Sequence, residues 1–261
     1  MKSEFKYIYG PVYSWRMGMS LGVDPLSTKS KICNFDCVYC QLGKTVEFVN
    51  IRKVFVSVDE VMNEINHFPS KEIDYYTFSG RGEPTLAKNL GEMIRAVKQE
   101  TGGKVAVITD SALMDHEDVR LDLCLADFVL AKLDACSQES LQSIDVPASG
   151  VQYENIIKGI NLFKKEFSGR LALQMMFIQE NKHLAESMAS VARDIGADEI
   201  QLNTPLRPSA AQPLTKSEME KIKIYFQDLP ATNIYDVKRK NISPLNDRDT
   251  LRRHGNFKKT R

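Results

Sequence analysis

Three cysteines that lie close together in the chain are the residues whose type and spacing point most directly to chemistry. Cys33, Cys37 and Cys40 have the spacing Cys-x3-Cys-x2-Cys and are three of the five cysteines in 261 residues. Thiolates are the ligands that iron takes in Fe–S clusters, and a loop with this spacing can turn several sulfurs toward one point. The alternatives to a cluster are a zinc knuckle or reactive thiols. A structural zinc site would usually need a second pair of Cys or His nearby, and none follows. Three ligands on a four-iron cube would leave one iron open to a substrate.

The cysteine motif, with Tyr39 before its last cysteine, resembles that of the radical S-adenosylmethionine (radical SAM) superfamily. There, Cys-x3-Cys-x-aromatic-Cys holds a [4Fe–4S] cluster whose free iron chelates the amino and carboxylate groups of S-adenosylmethionine (SAM). Residues 10–24 and the cysteine segment are similar to the wyosine-synthesis-related branch of Fe–S oxidoreductases. Arg16 and Ser20 lie in the most similar part, where a substrate role and a purely structural role, a salt bridge and a turn, both remain open.

The resemblance implies an enzyme that cleaves SAM reductively to a 5′-deoxyadenosyl radical and then takes a hydrogen atom from a substrate. It implies two cofactors, a [4Fe–4S] cluster and SAM, and a low-potential electron donor such as ferredoxin or flavodoxin. Among enzymes, the alternative is an activase that places a glycyl radical on a partner protein. A non-catalytic Fe–S electron carrier or sensor is the alternative from a different class.

The elements that position these residues are predicted from hydrophobic periodicity, which alternates between strand and helix along the chain. The predicted strands cover 29–34, 74–78, 105–109, 128–133, 171–178 and 199–202. The predicted helices cover 58–67, 86–98, 116–123, 152–167, 184–195 and 216–226. Six strand–helix units in sequence imply parallel strands and an α/β fold. The resemblance refines this to a partial (β/α)6 TIM-like barrel that is open on one side.

The domain organisation predicted from these elements is an N-terminal cap at 1–30, the barrel at 31–228 and a basic extension at 229–261. In parallel α/β folds the active site lies at the carboxyl ends of the strands. The cysteine loop follows the first predicted strand, so the loops after the other strands should complete the site.

The loop after the second predicted strand is rich in glycine and carries an acid. Gly80 and Gly82 let the backbone approach a ligand closely, and Glu83 offers an acceptor to a cationic group. With Pro84, this segment is similar to the Gly-Glu-Pro motif of the superfamily, which binds the methionyl amino group of SAM. An ordinary turn is the alternative.

Polar residues also follow the third, fourth and sixth predicted strands. Asp110 and Ser111 stand where related enzymes often have Asn-Gly and are candidates for a ribose hydroxyl, or they cap the next helix. Lys132 is a candidate partner of the methionyl carboxylate, or it belongs to a buried Lys–Asp pair. Asn203 and Arg207 are candidates for contacts with adenine or substrate.

Two further cysteines lie outside the motif. Cys124 falls in an apolar helical stretch and is predicted to be a buried structural thiol. Cys136 follows the fourth predicted strand on the expected active face, where a thiol could donate a hydrogen atom to a substrate radical or bind a metal.

Charge is distributed unevenly along a chain that has 35 basic and 34 acidic residues. Residues 238–261 hold nine Lys or Arg and two Asp, a tail that indicates either a tRNA or other RNA partner or a solvated end. The sequence has no membrane-length apolar run and no apolar signal core, so we expect a cytoplasmic protein without membrane contact.

Overall fold

The central feature of the computed structural model, which describes residues 5–68 and 72–237, is a sheet of eight strands. The strands along the chain are β1 (Ile8–Ser14), β2 (Gly18–Val23), β3 (Ile32–Cys33), β4 (Glu47–Phe48), β5 (Tyr75–Phe78), β6 (Lys104–Thr109), β7 (Phe128–Lys132), β8 (Arg170–Met176), β9 (Glu199–Asn203) and β10 (Ala231–Asn233). The helices are α1 (Val58–Asn66), α2 (Leu90–Thr101), α3 (Glu117–Leu123), α4 (Gln138–Ile144), α5 (Tyr153–Glu166), α6 (Ala185–Ile195) and α7 (Lys216–Ile224).

The strand order in the main sheet is β1-β2-β5-β6-β7-β8-β9-β10. Every neighbouring pair from β2 to β10 is parallel, and at least one helix lies between consecutive parallel strands in the chain. β1 is antiparallel to β2, and within the described residues β1 and β10 form the two edges. The predicted α/β class, with a mostly parallel sheet that is open on one side, is therefore confirmed.

The prediction of the first core strand at 29–34 is wrong. Residues Gly18–Val23 form the first parallel strand, while Ile32–Cys33 pairs only with β4 in a small separate sheet. The glycines of this region suggested chain breaks, yet a Cβ on Gly22 would lie 2.2 Å from the Tyr9 ring, so glycine there permits the β1–β2 hairpin to pack. The division at residue 30 stays a prediction, although the cap contributes two strands to the main sheet.

Side chains alternate between two sides of the sheet, as strand geometry requires. On β7, Val129 and Ala131 belong to the large core that the helices share, whereas Phe128 and Leu130 belong to a second apolar cluster. This second cluster lies on the inner face of the barrel. Lys132 is the next inward position, so the same alternation carries a charged side chain to the carboxyl end of the strand.

The helices that cover the outer face begin at caps that the sequence supplies. Ser57 and Glu60 form a capping box at the start of α1, and Thr215 and Glu218 form another at α7. The residues that α1 buries are Val61, Met62 and Ile65. Across the described ranges, no helix combines the length and the apolar character needed to span a membrane.

Candidate functional site

A cavity of about 470 Å³ is lined by residues at the carboxyl ends of the parallel strands and extends to the turn between β1 and β2. The predicted site residues that line it are Cys33, Cys37, Tyr39, Cys40, Gly80, Gly82, Glu83, Asp110, Lys132, Asn203 and Arg207. They come from five separate stretches of the chain. The structure thus brings most of the predicted site together at one place.

The cysteine loop is held by backbone hydrogen bonds on both sides. Ile32 N donates to Arg81 O at 3.3 Å, and Glu83 N donates to Ile32 O at 3.3 Å. On the other side, Asp36 N donates to Asp145 O at 3.0 Å and Val38 N donates to Ile144 O at 3.0 Å. The loop after β5 and the end of α4 therefore fix the position of all three thiols.

The thiols lie beside ionisable side chains. Cys33 Sγ is 3.5 Å from Asp110 Oδ2, and Lys132 Nζ is 3.4 Å from Cys37 Sγ. Burial raises the pKa of the Cys33 thiol, and the charge of Asp110 raises it further. Burial also raises the pKa of Cys37, although Lys132 opposes this. A metal ion favours the thiolate form of the cysteine that it coordinates, so coordination would offset this rise.

The described residues contain no group of three His, Cys, Asp or Glu side chains arranged to hold a single metal ion. A cubane cluster places a different demand on its ligands, because each of the three cysteines binds a different iron atom. The thiols therefore need to surround the cluster rather than converge on one ion. All three line the same cavity wall, and this arrangement fits the cluster.

Glu83 is a buried carboxylate with an extensive set of donors. Its Oε1 accepts from Thr85 N at 3.0 Å, from Thr85 Oγ1 at 2.7 Å and from Thr109 Oγ1 at 2.7 Å. Its Oε2 accepts from Asp110 N at 2.7 Å. Burial raises the pKa of Glu83, and these donors oppose that rise. The carboxylate thus links the loops after β5 and β6, and Oε2 keeps capacity for one further donor from the cavity.

Glycine is required at two positions of the loop after β5. Gly80 has a φ of 138°, and a Cβ there would lie 2.4 Å from the Asp24 carboxylate carbon. A Cβ on Gly82 would lie 1.7 Å from the carbonyl oxygen of Ile32. The close approach of this loop to the cysteine loop therefore depends on the absence of a side chain at Gly82.

Lys132 belongs to a buried charged network. Its Nζ lies 2.5 Å from Asp145 Oδ1 and 3.0 Å from Asp134 Oδ2, and Tyr39 OH donates to Asp134 Oδ2. Burial raises the pKa of Asp134 to about 6, although Lys132 opposes this. The alternative of a buried Lys–Asp pair is thus observed, while the ammonium still faces the cavity beside Cys37.

Asn203, at the end of β9, presents an unused amide to the cavity. It is 2% exposed, and within the described part of the chain neither its Nδ2 nor its Oδ1 has a hydrogen-bond partner. A buried polar group without a partner is costly, so a bound ligand is the natural acceptor and donor. Arg207 is closer to the cysteine loop, where its Nη1 donates to Gln41 Oε1 at 2.8 Å.

Two predicted residues, Ser111 and Pro84, are not part of the cavity lining. Ser111 is fully buried with a φ of 73°, while Asp110 Oδ1 accepts from Ala112 N in a local turn, well before α3 begins. Pro84 starts a short 3₁₀ turn and is buried. The geometry does not support the assignment of Ser111 and Pro84 as direct cofactor contacts, because their side chains face the protein interior.

Cys136 also lies outside the wall, so its prediction as a catalytic hydrogen donor is not supported. Its backbone N–H donates to Ser140 Oγ at 3.0 Å at the start of α4, and its side chain packs against the main core. The chain turns away from the cavity directly after Asp134 to form the α4 cap. Cys124 packs against the same core, but it is only partly buried rather than buried as predicted.

Sequence reasoning missed two residues that shape the site. Lys31 lies beside the thiols: burial lowers its pKa, but the neighbouring Cys40, Cys33 and Cys37 outweigh this and raise it. Its position directly before the motif could have signalled this role. Asp145 reaches Lys132 only through the fold and has no local signal. Arg16, left open in the sequence, lines the cavity.

The comparison with family models decides the family. Residues 28–191 match the Radical SAM superfamily.

The chain belongs to the radical SAM superfamily.

Three relatives extend this relationship along the chain. A UPF0026 protein of Synechocystis sp. is 39% identical over 240 residues, which cover 90% of this chain and 88% of that protein. A UPF0026 protein of Methanocaldococcus jannaschii is 33% identical over 224 residues, covering 82% and 68%. A protein named GTPase Obg, of Brachyspira hyodysenteriae, is 32% identical over 263 residues, covering 96% of this chain but 38% of that protein.

Solved structures of radical SAM proteins share the fold. Streptococcus suis SuiB bound to the precursor peptide SuiA aligns with a TM-score of 0.63 at 12% identity, over 81% of this chain and 48% of SuiB. The archaeal TYW1 structure aligns with a TM-score of 0.58 at 16% identity, over 83% of this chain and 73% of that chain. At these identities the likeness concerns the fold alone, a partial TIM barrel. This chain spans about half the length of SuiB.

Proposed function

We propose that this radical SAM protein holds a [4Fe–4S] cluster through Cys33, Cys37 and Cys40 and cleaves SAM reductively to start a radical reaction on a bound substrate. The observation that carries the proposal is that the three thiols line one cavity together with the unpartnered amide of Asn203. Thiols supply iron ligands, and the amide supplies a recognition group for a polar organic molecule.

When bound, the cluster and SAM supply the electron transfer and the 5′-deoxyadenosyl radical that removes a hydrogen atom from the substrate. The residues of the chain bind and orient. Glu83 lines the cavity, and its Oε2 accepts one described hydrogen bond, so its carboxylate suits the methionyl ammonium group. Asn203 offers one donor and one acceptor from a single amide, a pair that matches the edge of adenine.

The polar groups near the thiols hold the loop in place before SAM arrives. Lys132 keeps a positive charge beside Cys37 and is itself fixed by Asp134 and Asp145. This charge helps to balance the thiolates of a bound cluster.

The electron for this reaction has to come from a low-potential donor, and we propose ferredoxin or flavodoxin in the cytoplasm. An RNA substrate and a wyosine-related reaction stay predictions from the sequence. The basic segment 238–261, which motivates the RNA substrate together with the resemblance of residues 10–24, lies outside the described residues. A glycyl-radical activase would need a protein substrate, whereas an electron carrier would have no use for the amide of Asn203.

Anaerobic reconstitution with iron and sulfide tests the proposal. We expect about four irons per chain and, after addition of dithionite and SAM, formation of 5′-deoxyadenosine and methionine. Cys33→Ala should lose both the iron and the cleavage, whereas Cys124→Ala, which alters a thiol of the outer core, is the matched control and should retain both. Full cleavage by Cys33→Ala, or none by the wild type, would overturn the proposal.

A further inference from the structure

The turn between β1 and β2 enters the inside of the barrel. Met17 packs in the inner apolar cluster with Phe128, Leu130 and Ala172, and Thr77 Oγ1 lies 3.5 Å from its Sδ. Met17 therefore anchors the turn from within. Its neighbour Arg16 is carried into the wall of the same cavity that the cysteines line.

Arg16 brings a cation to this wall without a counter-ion. Within residues 5–68 and 72–237, its buried Nε has no hydrogen-bond partner, and no carboxylate lies within salt-bridge distance of its guanidinium. Trp15 stacks nearby, with its ring centre 5.1 Å from the Arg16 Cζ. Burial lowers the pKa of Arg16 to about 10, so the side chain remains a cation at neutral pH.

The nearest acid, Glu199, is already occupied. Its Oε2 lies 3.3 Å from Arg170 Nη2, and its Oε1 accepts from Gln201 Nε2 at 2.9 Å. Its charge favours the charged form of Arg16 only at a distance. Because Arg170 compensates this carboxylate, it leaves the guanidinium of Arg16 available to another anion.

The other cations of the cavity wall have acceptors of their own. Lys132 is held by two aspartates, Lys31 Nζ donates to Gly43 O at 3.3 Å, and Arg207 donates to Gln41. All three belong to the end of the cavity that holds the thiols. Arg16 differs from them in both its position and its unused donor.

Arg16 lies at the opposite end of the barrel from the thiols. Its backbone oxygen accepts from Arg170 Nη2 at 3.4 Å, and Arg170 pairs with Phe128 at the start of β7. Lys132 ends the same strand four residues later, which is about 13 Å at ~3.3 Å per residue. A molecule with its reactive carbon near the cluster could therefore reach Arg16 with a group at its far end.

We propose that Arg16 binds an oxyanion group of the substrate, a phosphate ester or a carboxylate, and thereby orients the substrate with its other end toward the cysteines. The inference rests on the proposed function, since it assigns the far end of the same cavity to the substrate. Guanidinium suits this task because its planar fork matches both groups with two parallel hydrogen bonds.

The chain provides its own reporter, because Trp15 is the single tryptophan of the sequence and lies against Arg16. We would titrate the reconstituted full-length protein with inorganic phosphate, adenosine 5′-monophosphate or succinate and follow tryptophan fluorescence. We expect a saturable change with at least one anion, and the preference between the phosphates and succinate identifies the group. Arg16→Gln should weaken that binding by about tenfold or more.

Two variants keep the test decisive. Arg95→Gln alters an exposed arginine on α2 and should bind like the wild type. Arg16→Lys retains the charge but loses the fork, so it should bind more weakly than the wild type and more tightly than Arg16→Gln. No saturable change in the wild type, or equal affinities in all four proteins, would overturn the assignment.

A parallel assay separates the two proposals. The same preparation is reduced with dithionite in the presence of SAM, and 5′-deoxyadenosine is measured. If the wild type forms 5′-deoxyadenosine but binds none of the three anions, the role of Arg16 fails while the proposed function stands. If no 5′-deoxyadenosine forms, the proposed function fails, whatever the anions do.

Discussion

Replacement of Gly82 by alanine should disrupt the contact on which the position of the cysteine loop depends. The added Cβ would lie 1.7 Å from Ile32 O and 2.8 Å from Leu26 Cδ1. Real Cβ atoms essentially never approach another heavy atom closer than 3.0 Å. The two backbones would therefore have to separate by at least about 1.3 Å, the difference between 3.0 and 1.7 Å. Ile32 immediately precedes Cys33, so the first thiol would move with it.

The expected cost has two parts. Separation stretches the hydrogen bonds from Ile32 N to Arg81 O and from Glu83 N to Ile32 O, and each is worth about 0.5–1.5 kcal/mol. Overpacking a well-filled contact costs about 1–3 kcal/mol more. We therefore expect Gly82→Ala to lower the free energy of unfolding by roughly 2–6 kcal/mol.

Urea unfolding and iron content measure this effect. Gly43→Ala is the matched control, because Gly43 lies in the cysteine loop with a φ of 78° and a Cβ there meets nothing within 4 Å. In that variant the free energy of unfolding should fall only by the cost of a left-handed conformation, about 1–2 kcal/mol, and iron should still be incorporated. The steric argument would be refuted if Gly82→Ala unfolded no more easily than Gly43→Ala and bound as much iron as the wild type.

Four further predictions concern Asn203, Cys136, Glu60 and the basic tail. Asn203→Ala should weaken SAM binding by about 1–3 kcal/mol, measured by calorimetry, whereas the exposed Asn63→Ala should not. Cys136→Ser should form 5′-deoxyadenosine at the wild-type rate, and a large loss would restore a chemical role to this thiol. The hydrogen bonds from Tyr7 and Ser57 lower the pKa of Glu60 to about 2, so the stability that its carboxylate contributes is present above about pH 4.5 and lost as the pH falls toward 2. In urea unfolding, the difference in the free energy of unfolding between the wild type and Glu60→Gln should therefore disappear over this range. A difference that stays constant would contradict this prediction. If the basic tail makes about five phosphate contacts, labelled tRNA should bind the full-length chain with a log–log salt slope near −4 and should bind a chain ending at Val237 more weakly; equal affinities would leave the tail a solvated end.

The fold was largely predictable because its signals are local. Strand and helix periodicity placed five of the six predicted strands in the observed parallel sheet, and the alternation along β7 placed Lys132 on the inner face. The parallel strands that the periodicity did not place were β2 and β10, and the helix α4 was also not predicted. Gly18 and Gly22 are breakers by composition, but they allow close packing in the folded hairpin, which only the tertiary contacts reveal.

The site was predictable where residue type and strand end coincide, and unpredictable where it depends on long-range contacts. Glu83 and Asn203 follow or end strands of the main sheet, so its topology brought them together. Cys33 ends a strand of the small sheet and reaches the site through the hydrogen bonds of Ile32 with the loop after β5. Asp145 reaches the site because the segment after α4 pairs with the cysteine loop, and the pattern around it carries no trace of that pairing. Cys136 follows β7 as its position in the sequence indicated, but it is not part of the cavity lining and its side chain packs against the main core.

The central claim is that SAM binds to a cluster held by the three thiols, and electron paramagnetic resonance of the reduced protein tests it most directly. The account predicts a [4Fe–4S] signal in the reconstituted, dithionite-reduced wild type that changes on addition of SAM, because SAM takes the open iron. Cys40→Ala should show no such signal. A wild-type cluster whose spectrum is the same with and without saturating SAM would contradict the account.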